Sequence, residues 1–148
     1  MNTDRIKWMA ALPYLMVLVI VLNGDVLGNY SINIFGLKLS FFTFLPFIIY
    51  HFVNRNHENQ FISTHVNRAM SYFIKYFIIS VLLSVTLTIF GFGVLTFDPI
   101  AIFTSGILGL VFLLPFVLIV VWVIIKSVVG SIRAFKLQLP NKQMWHQA

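Results

Sequence analysis

The sequence has no cysteine, and only 9% of its 148 residues are charged. Without cysteine there are no disulfides, no thiolate nucleophile and no sulfur-ligated zinc. So little charge cannot cover a soluble domain of this length, in which roughly a quarter of the residues carry it. No Asp, Glu or Arg falls in the middle of an apolar run. Proton relays and ion pathways place ionisable groups there, so a proton-coupled transporter is disfavoured. No internal repeat or low-complexity segment is present either.

What the chain has in excess is apolar surface. Hydrophobic residues make up 59% of it, and the mean hydropathy is +0.94. One globular core could not bury that much, so lipid must be the solvent for much of the chain. Four apolar segments stand out, at residues 6–22, 37–53, 71–95 and 102–125. Each is near the roughly 17–25 residues a helix needs to cross the hydrocarbon. Inside a bilayer every backbone amide must be satisfied within its own segment, so all four are expected to be helical. Asp4 is the expected N-cap of the first, and Asn23-Gly24 its stop. The first run is read as a retained span, not a cleaved leader. Pro13, Pro46 and Pro115 fall inside three of the spans and should bend them. Asp98-Pro99 marks a helix start before the last.

The basic residues give the chain an orientation. With four crossings, nine of the ten Lys and Arg lie on one side: Arg5 and Lys7, then Arg55, Arg68 and Lys75, then Lys126, Arg133, Lys136 and Lys142. Only Lys38 is on the other. The positive-inside rule then places both termini in the cytoplasm. It also explains the net charge of +6 without nucleic acid. Lys75, Lys126, Arg133 and Lys136 are expected to reach lipid headgroups. Residues 23–40 alternate as a small outer hairpin would, though an irregular loop fits equally. Residues 127–139 keep helical periodicity, as an extension of the fourth helix or as an interfacial helix. Residues 140–148 form a polar tail.

The third span carries a pattern of its own. Ser80, Ser84, Thr88 and Gly91 fall within an arc of roughly 80° at 100° per residue. Small hydroxylated residues on one face suit close helix packing, and the same face could line a pore. Ser105 with Gly109, and Gly130 with Ala134, are spaced as further packing contacts.

The stretch FISTHVNRAM, residues 61–70, gathers five polar side chains between two apolar runs. Asn59 is a plausible N-cap, and residues 60–70 read as an amphipathic lead-in to the third span. Phe61, His65 and Ala69 share one face; Ser63, Asn67 and Arg68 point elsewhere. A nucleophile built from Ser63 and His65 fails, because positions two apart diverge on a helix. His51, His57 and His65 match no compact metal-ligand spacing and lack a second carboxylate. The structural alternative packs His65 under the helix ends, bonded to a neighbouring helix.

Phe61, Ile62, His65, Val66, Arg68, Ala69 and Met70 also fit a signature of the form Phe-Val-x-x-His-Ala-x-Gln-Ala-Leu, with Arg68 in place of its Gln. The stretch thereby resembles a family of small bacterial membrane proteins that carry a domain of unknown function. That family is related to the twenty-kilodalton membrane subunit of the chloroplast Tic import translocon. FLPFIIYHFVNRN resembles its second span and IIKSVVGSIRAFKLQLP its closing segment. The resemblance implies an all-α integral membrane protein with four transmembrane helices, and says little about activity.

The expected function is therefore non-enzymatic and cofactor-free: an accessory or scaffold subunit of a larger membrane assembly, with the bilayer and another membrane protein as partners. A homo-oligomeric pore or carrier for an uncharged solute, lined by Ser80, Ser84 and Thr88, stays open. So does an immunity protein against a membrane-active peptide. An intramembrane enzyme ranks behind all three.

Overall fold

In the computed structural model the described residues are 2–23, 33–34, 37–38, 43–89 and 107–140. Helix α1 (Thr3–Val21) starts earlier than the sequence suggests. Asn2 Oδ1 accepts the Asp4 N–H at 3.1 Å, so the cap is Asn2 and not Asp4. Asp4 sits in the first turn, where its charge favours the helix dipole and meets Lys7 at 3.5 Å.

Strands β1 (Asn33–Ile34) and β2 (Leu37–Lys38) pair antiparallel, with Asn33 opposite Lys38 and Ile34 opposite Leu37. The second segment therefore differs from the expected residues 37–53. Its helix, α2, covers only Phe44–Asn54, a length of about 16 Å at 1.5 Å per residue. This start also changes the role of Pro46. It lies in the first turn, where its missing N–H would have had no intrahelical acceptor, so it does not break the helix.

Helix α3 (Gln60–Ile89) runs without interruption from the lead-in into the apolar span. Asn59 Oδ1 accepts the Phe61 N–H at 3.0 Å, the geometry of a side-chain N-cap. Helix α4 (Ile107–Phe135) likewise continues straight through Lys126, so residues 127–135 extend it. Residues 90–95, 102–106 and 141–148, and the Asp98-Pro99 start signal, lie outside the described residues. The described chain is thus helical apart from the short pairing. Two stretches, Gln60–Leu83 and Leu114–Phe135, are long and apolar enough to cross a membrane.

Helix α1 is the post around which the other three gather, and it packs most extensively on α4. Small residues make this close approach feasible: Ala10 and Ala11 are fully buried, as are Pro13 and Val17. One cluster joins Val17, Ile20 and Val21 to Phe47, Phe73, Tyr76 and Val123. A second joins Ile6, Ala10 and Ala11 to Phe61, Ile62, Val66 and Ala134. Pro13 cannot donate to the carbonyl four residues back, that of Met9. The Tyr50 hydroxyl donates to that carbonyl instead, at 2.7 Å. The proline thereby creates the acceptor that ties α2 to α1.

Tyr50→Phe should leave the Met9 carbonyl unpaired and cost about 1–3 kcal/mol. Pro13→Ala restores the missing N–H, so in that background Tyr50→Phe should cost much less. Unfolding midpoints of the four proteins in detergent measure this coupling. An equal cost in both backgrounds would contradict it.

The four helices meet at one end. Trp8 and Phe135 make an edge-to-face ring contact at 5.0 Å. Asn67 Nδ2 donates to the Arg55 carbonyl at 3.2 Å, joining α3 to the turn after α2. Among the described residues, the buried positions of α3 stop at Tyr76, and those of α4 begin at Val123. The core therefore lies at the end that carries Arg5, Lys7, Arg55, Arg68, Arg133 and Lys136. Beyond it, α3 and α4 present Ile78, Leu82, Val85, Val111, Leu114 and Leu118 outward.

Candidate functional site

The polar stretch at residues 61–70 resolves into two faces. Phe61, Ile62, His65, Val66 and Ala69 are all fully buried. On the other face the polar groups are spent locally. Thr64 Oγ1 donates to the Gln60 carbonyl at 2.7 Å, Ser63 Oγ donates to the same carbonyl at 3.2 Å, and Arg68 Nε donates to the Tyr72 hydroxyl at 3.3 Å. The two hydroxyl bonds are the back-bonds to residues i−3 and i−4 that satisfy Ser and Thr donors within a helix's own turns. Met70 is half-buried against the inner cluster.

His65 is the centre of the arrangement. Its Nε2 lies 3.0 Å from the Gln138 carbonyl, and its Nδ1 lies 3.1 Å from the Tyr14 hydroxyl. A carbonyl only accepts, so Nε2 carries the proton; the neutral ring then leaves Nδ1 to accept from Tyr14. Phe61 packs edge-on against the same ring at 4.6 Å between centroids. One imidazole thus joins α1, α3 and the chain just past α4.

The carbonyl reaches His65 because of how α4 ends. The Leu137 N–H donates to the Ala134 carbonyl at 3.1 Å, and the Gln138 N–H to the Arg133 carbonyl at 2.9 Å. This is the Schellman pattern, which needs a left-handed residue and usually takes glycine. Here the residue is Leu137, at φ 54°. A leucine there costs about 1–2 kcal/mol, and its side chain packs against the cluster of Ile6, Phe61 and Val66. Arg133 Nη1 closes the turn by donating to the Pro140 carbonyl at 2.8 Å. Arg133 was expected at lipid headgroups; at least one of its N–H groups is turned back onto its own chain.

Gly130 lets the knot form. A Cβ placed there would lie 2.5 Å from Tyr14 Cε1, so only a glycine lets the ring lie flat on α4. Ala134, one turn on, is fully buried in the same interface. Ser127 and Ser131 flank it, buried, with Oγ atoms that have no hydrogen-bond partner among the described residues. Small size is the property used at these positions. Ser127→Ala should therefore be neutral or stabilise the protein by up to about 1 kcal/mol, because it removes an unpaired buried hydroxyl. A loss of more than about 1 kcal/mol in a detergent melt would mean that the hydroxyl has an essential partner.

No protein-family model, curated protein or solved structure matches the chain.

The remaining sequence candidates separate cleanly. The three histidines are not gathered into a ligand set among the described residues. Both nitrogens of His65 are engaged, and His57 Nδ1 accepts the Asn59 N–H at 2.9 Å. Ser80 carries a buried Oγ without a partner among the described residues. The side chains of Ser84 and Thr88, and Gly91 altogether, lie outside the described residues. Lys75, Lys126 and Lys136 are exposed. Sequence reasoning missed Tyr14, Gln138 and Tyr50. A tyrosine inside an apolar run needs a partner for its hydroxyl, and that signal marks both Tyr14 and Tyr50. The contribution of Gln138 is a backbone carbonyl, which no residue type announces.

Proposed function

We propose that the chain is a multi-pass protein of a bacterial cytoplasmic membrane and serves as a non-enzymatic accessory or scaffold subunit of a larger membrane assembly. Its four helices are embedded with both termini cytoplasmic, and the relation to the family of the Tic membrane subunit is part of the same reading. The observation that carries it is the division of the molecule into two halves. At the basic end, the His65 knot fixes α1, α3 and the end of α4 against each other, and the Tyr50–Met9 bond adds α2 to α1. Beyond Tyr76 and Val123, the apolar sides of α3 and α4 face outward, and only lipid or another protein's helices can cover such surface. His65 holds helices together with the two nitrogens that a base or a metal ligand would need free. The buried Oγ of Ser80 supports packing over pore lining at that position.

The test is photo-crosslinking in intact cells from positions Leu82 and Leu114, both well exposed. Adducts with a different membrane polypeptide, abolished when the knot is broken, are expected. Adducts only at multiples of the chain's own mass would replace the scaffold reading with a homo-oligomer.

A further inference from the structure

Helices α3 and α4 do not close against each other along their length. Between them lies an open groove of 540 Å³, lined by Lys75 and Ile79 from α3 and by Pro115, Leu118, Ile119 and Trp122 from α4. Its volume falls in the range of about 300–1,000 Å³ typical of small-ligand sites. Its walls are apolar except at Lys75.

The groove has a direction. Arg68, Tyr72, Lys75 and Ile79 recur at spacings of four and three, so they form one ridge of α3. Tyr72 packs edge-on against Trp122 at 5.6 Å, and the Arg68 guanidinium lies 5.7 Å above the Tyr72 ring. The ridge thus passes from Arg68, through the aromatic pair of Tyr72 and Trp122, to Lys75 at the mouth of an apolar trough that ends at Ile79 and Pro115. Neither α3 nor α4 contains an acidic residue. The only ion pair among the described residues is Lys7–Asp4, so the Lys75 ammonium has no anionic partner there.

We propose that this groove is a binding site for one anionic phospholipid of the surrounding bilayer. An acyl chain lies along Ile79, Pro115, Leu118 and Ile119, and the headgroup phosphate is held by Lys75 with Arg68 above it. The two cations and the aromatic pair between them lie at one end and the apolar trough at the other, as the headgroup and interface of a phospholipid lie at one end and its chains at the other. A zwitterionic lipid would fit the trough equally but would bring its own cation towards Lys75. The inference rests on the membrane placement of α3 and α4 proposed above.

Trp122 reports on the site directly. In the full chain carrying Trp8→Phe and Trp145→Phe, reconstituted in vesicles, its fluorescence is quenched by brominated phosphatidylglycerol or brominated phosphatidylcholine at equal mole fraction. Phosphatidylglycerol should be preferred by about fivefold, the scale of one lysine near an anionic surface. Lys75→Gln should reduce the preference to about onefold, and Lys75→Arg should keep it, with unchanged melting temperatures in both. Equal quenching by the two lipids, or a preference that survives Lys75→Gln, overturns the proposal. So does loss of quenching by both lipids together with a chain–chain crosslink across the groove, which would assign it to a second copy. Loss of quenching by both without such a crosslink overturns the membrane placement itself.

Discussion

His65→Ala should lower the stability of the detergent-solubilised protein by about 3 kcal/mol or more, the larger of the two effects expected from single substitutions. The change leaves the buried Tyr14 hydroxyl and the Gln138 carbonyl without their partner, each at about 1–3 kcal/mol. It also opens a cavity beside Phe61, Val66 and Ala69, all fully buried. Tyr14→Phe should cost less, because only one hydrogen bond is lost and the ring still fills its site. If His65→Ala and Tyr14→Phe together cost no more than His65→Ala alone, the two residues act as one unit. A thermal or denaturant midpoint for His65→Ala within about 0.5 kcal/mol of the parent would show that the knot contributes nothing.

Gly130→Ala should destabilise by about 1–3 kcal/mol, against the usual direction. In an ordinary helix the same change stabilises by about 1 kcal/mol, since alanine loses less backbone entropy. Here the new methyl would meet the Tyr14 ring, with Cε1, Cδ1 and Cζ at 2.5, 2.6 and 2.7 Å. That ring cannot retreat: it is 1% exposed and bonded to His65. Relief must come from separating α1 and α4, the most extensive helix contact in the molecule. Tyr14→Ala vacates the space, so the combination should be less harmful than the sum of the two changes. An alanine at position 130 that raises the melting temperature would contradict the close packing of Tyr14 on α4.

The start and inner face of α3 were legible in the sequence because they rest on local rules. Asn59 is a good cap, and Phe61, His65 and Ala69 recur at helical spacing. The polar cluster at residues 61–70 was readable for the same reason, as the first turns of a helix whose other side is buried. The start of α2 was misread because hydropathy cannot distinguish an apolar strand from an apolar helix, and Leu37–Lys38 is a strand. Pro46 looked like a kink only because the helix start had been placed too early. The cap of α1 at Asn2 was hidden by Asp4, an equally good capping residue two positions on. The partners of His65 depend on tertiary contacts: Tyr14 lies 51 residues away and the Gln138 carbonyl 73. The carbonyl is aimed by a left-handed leucine, where sequence rules look for glycine.

Gathering the basic helix ends into one cytoplasmic knot is the claim on which the rest depends, and topology tests it most directly. The chain has no cysteine, so single cysteines can be placed at Asn2, Asn29, Asn56 and Gln147 without a background. In intact cells, an impermeant thiol reagent should label only the cysteine at Asn29. Protection at Asn2, Asn56 and Gln147, lost when the membrane is permeabilised, would place both termini and the turn before α3 in the cytoplasm. Labelling at Asn56 in sealed cells would contradict it, because that turn is tied by Asn67 and Arg55 to the end of the bundle that holds His65.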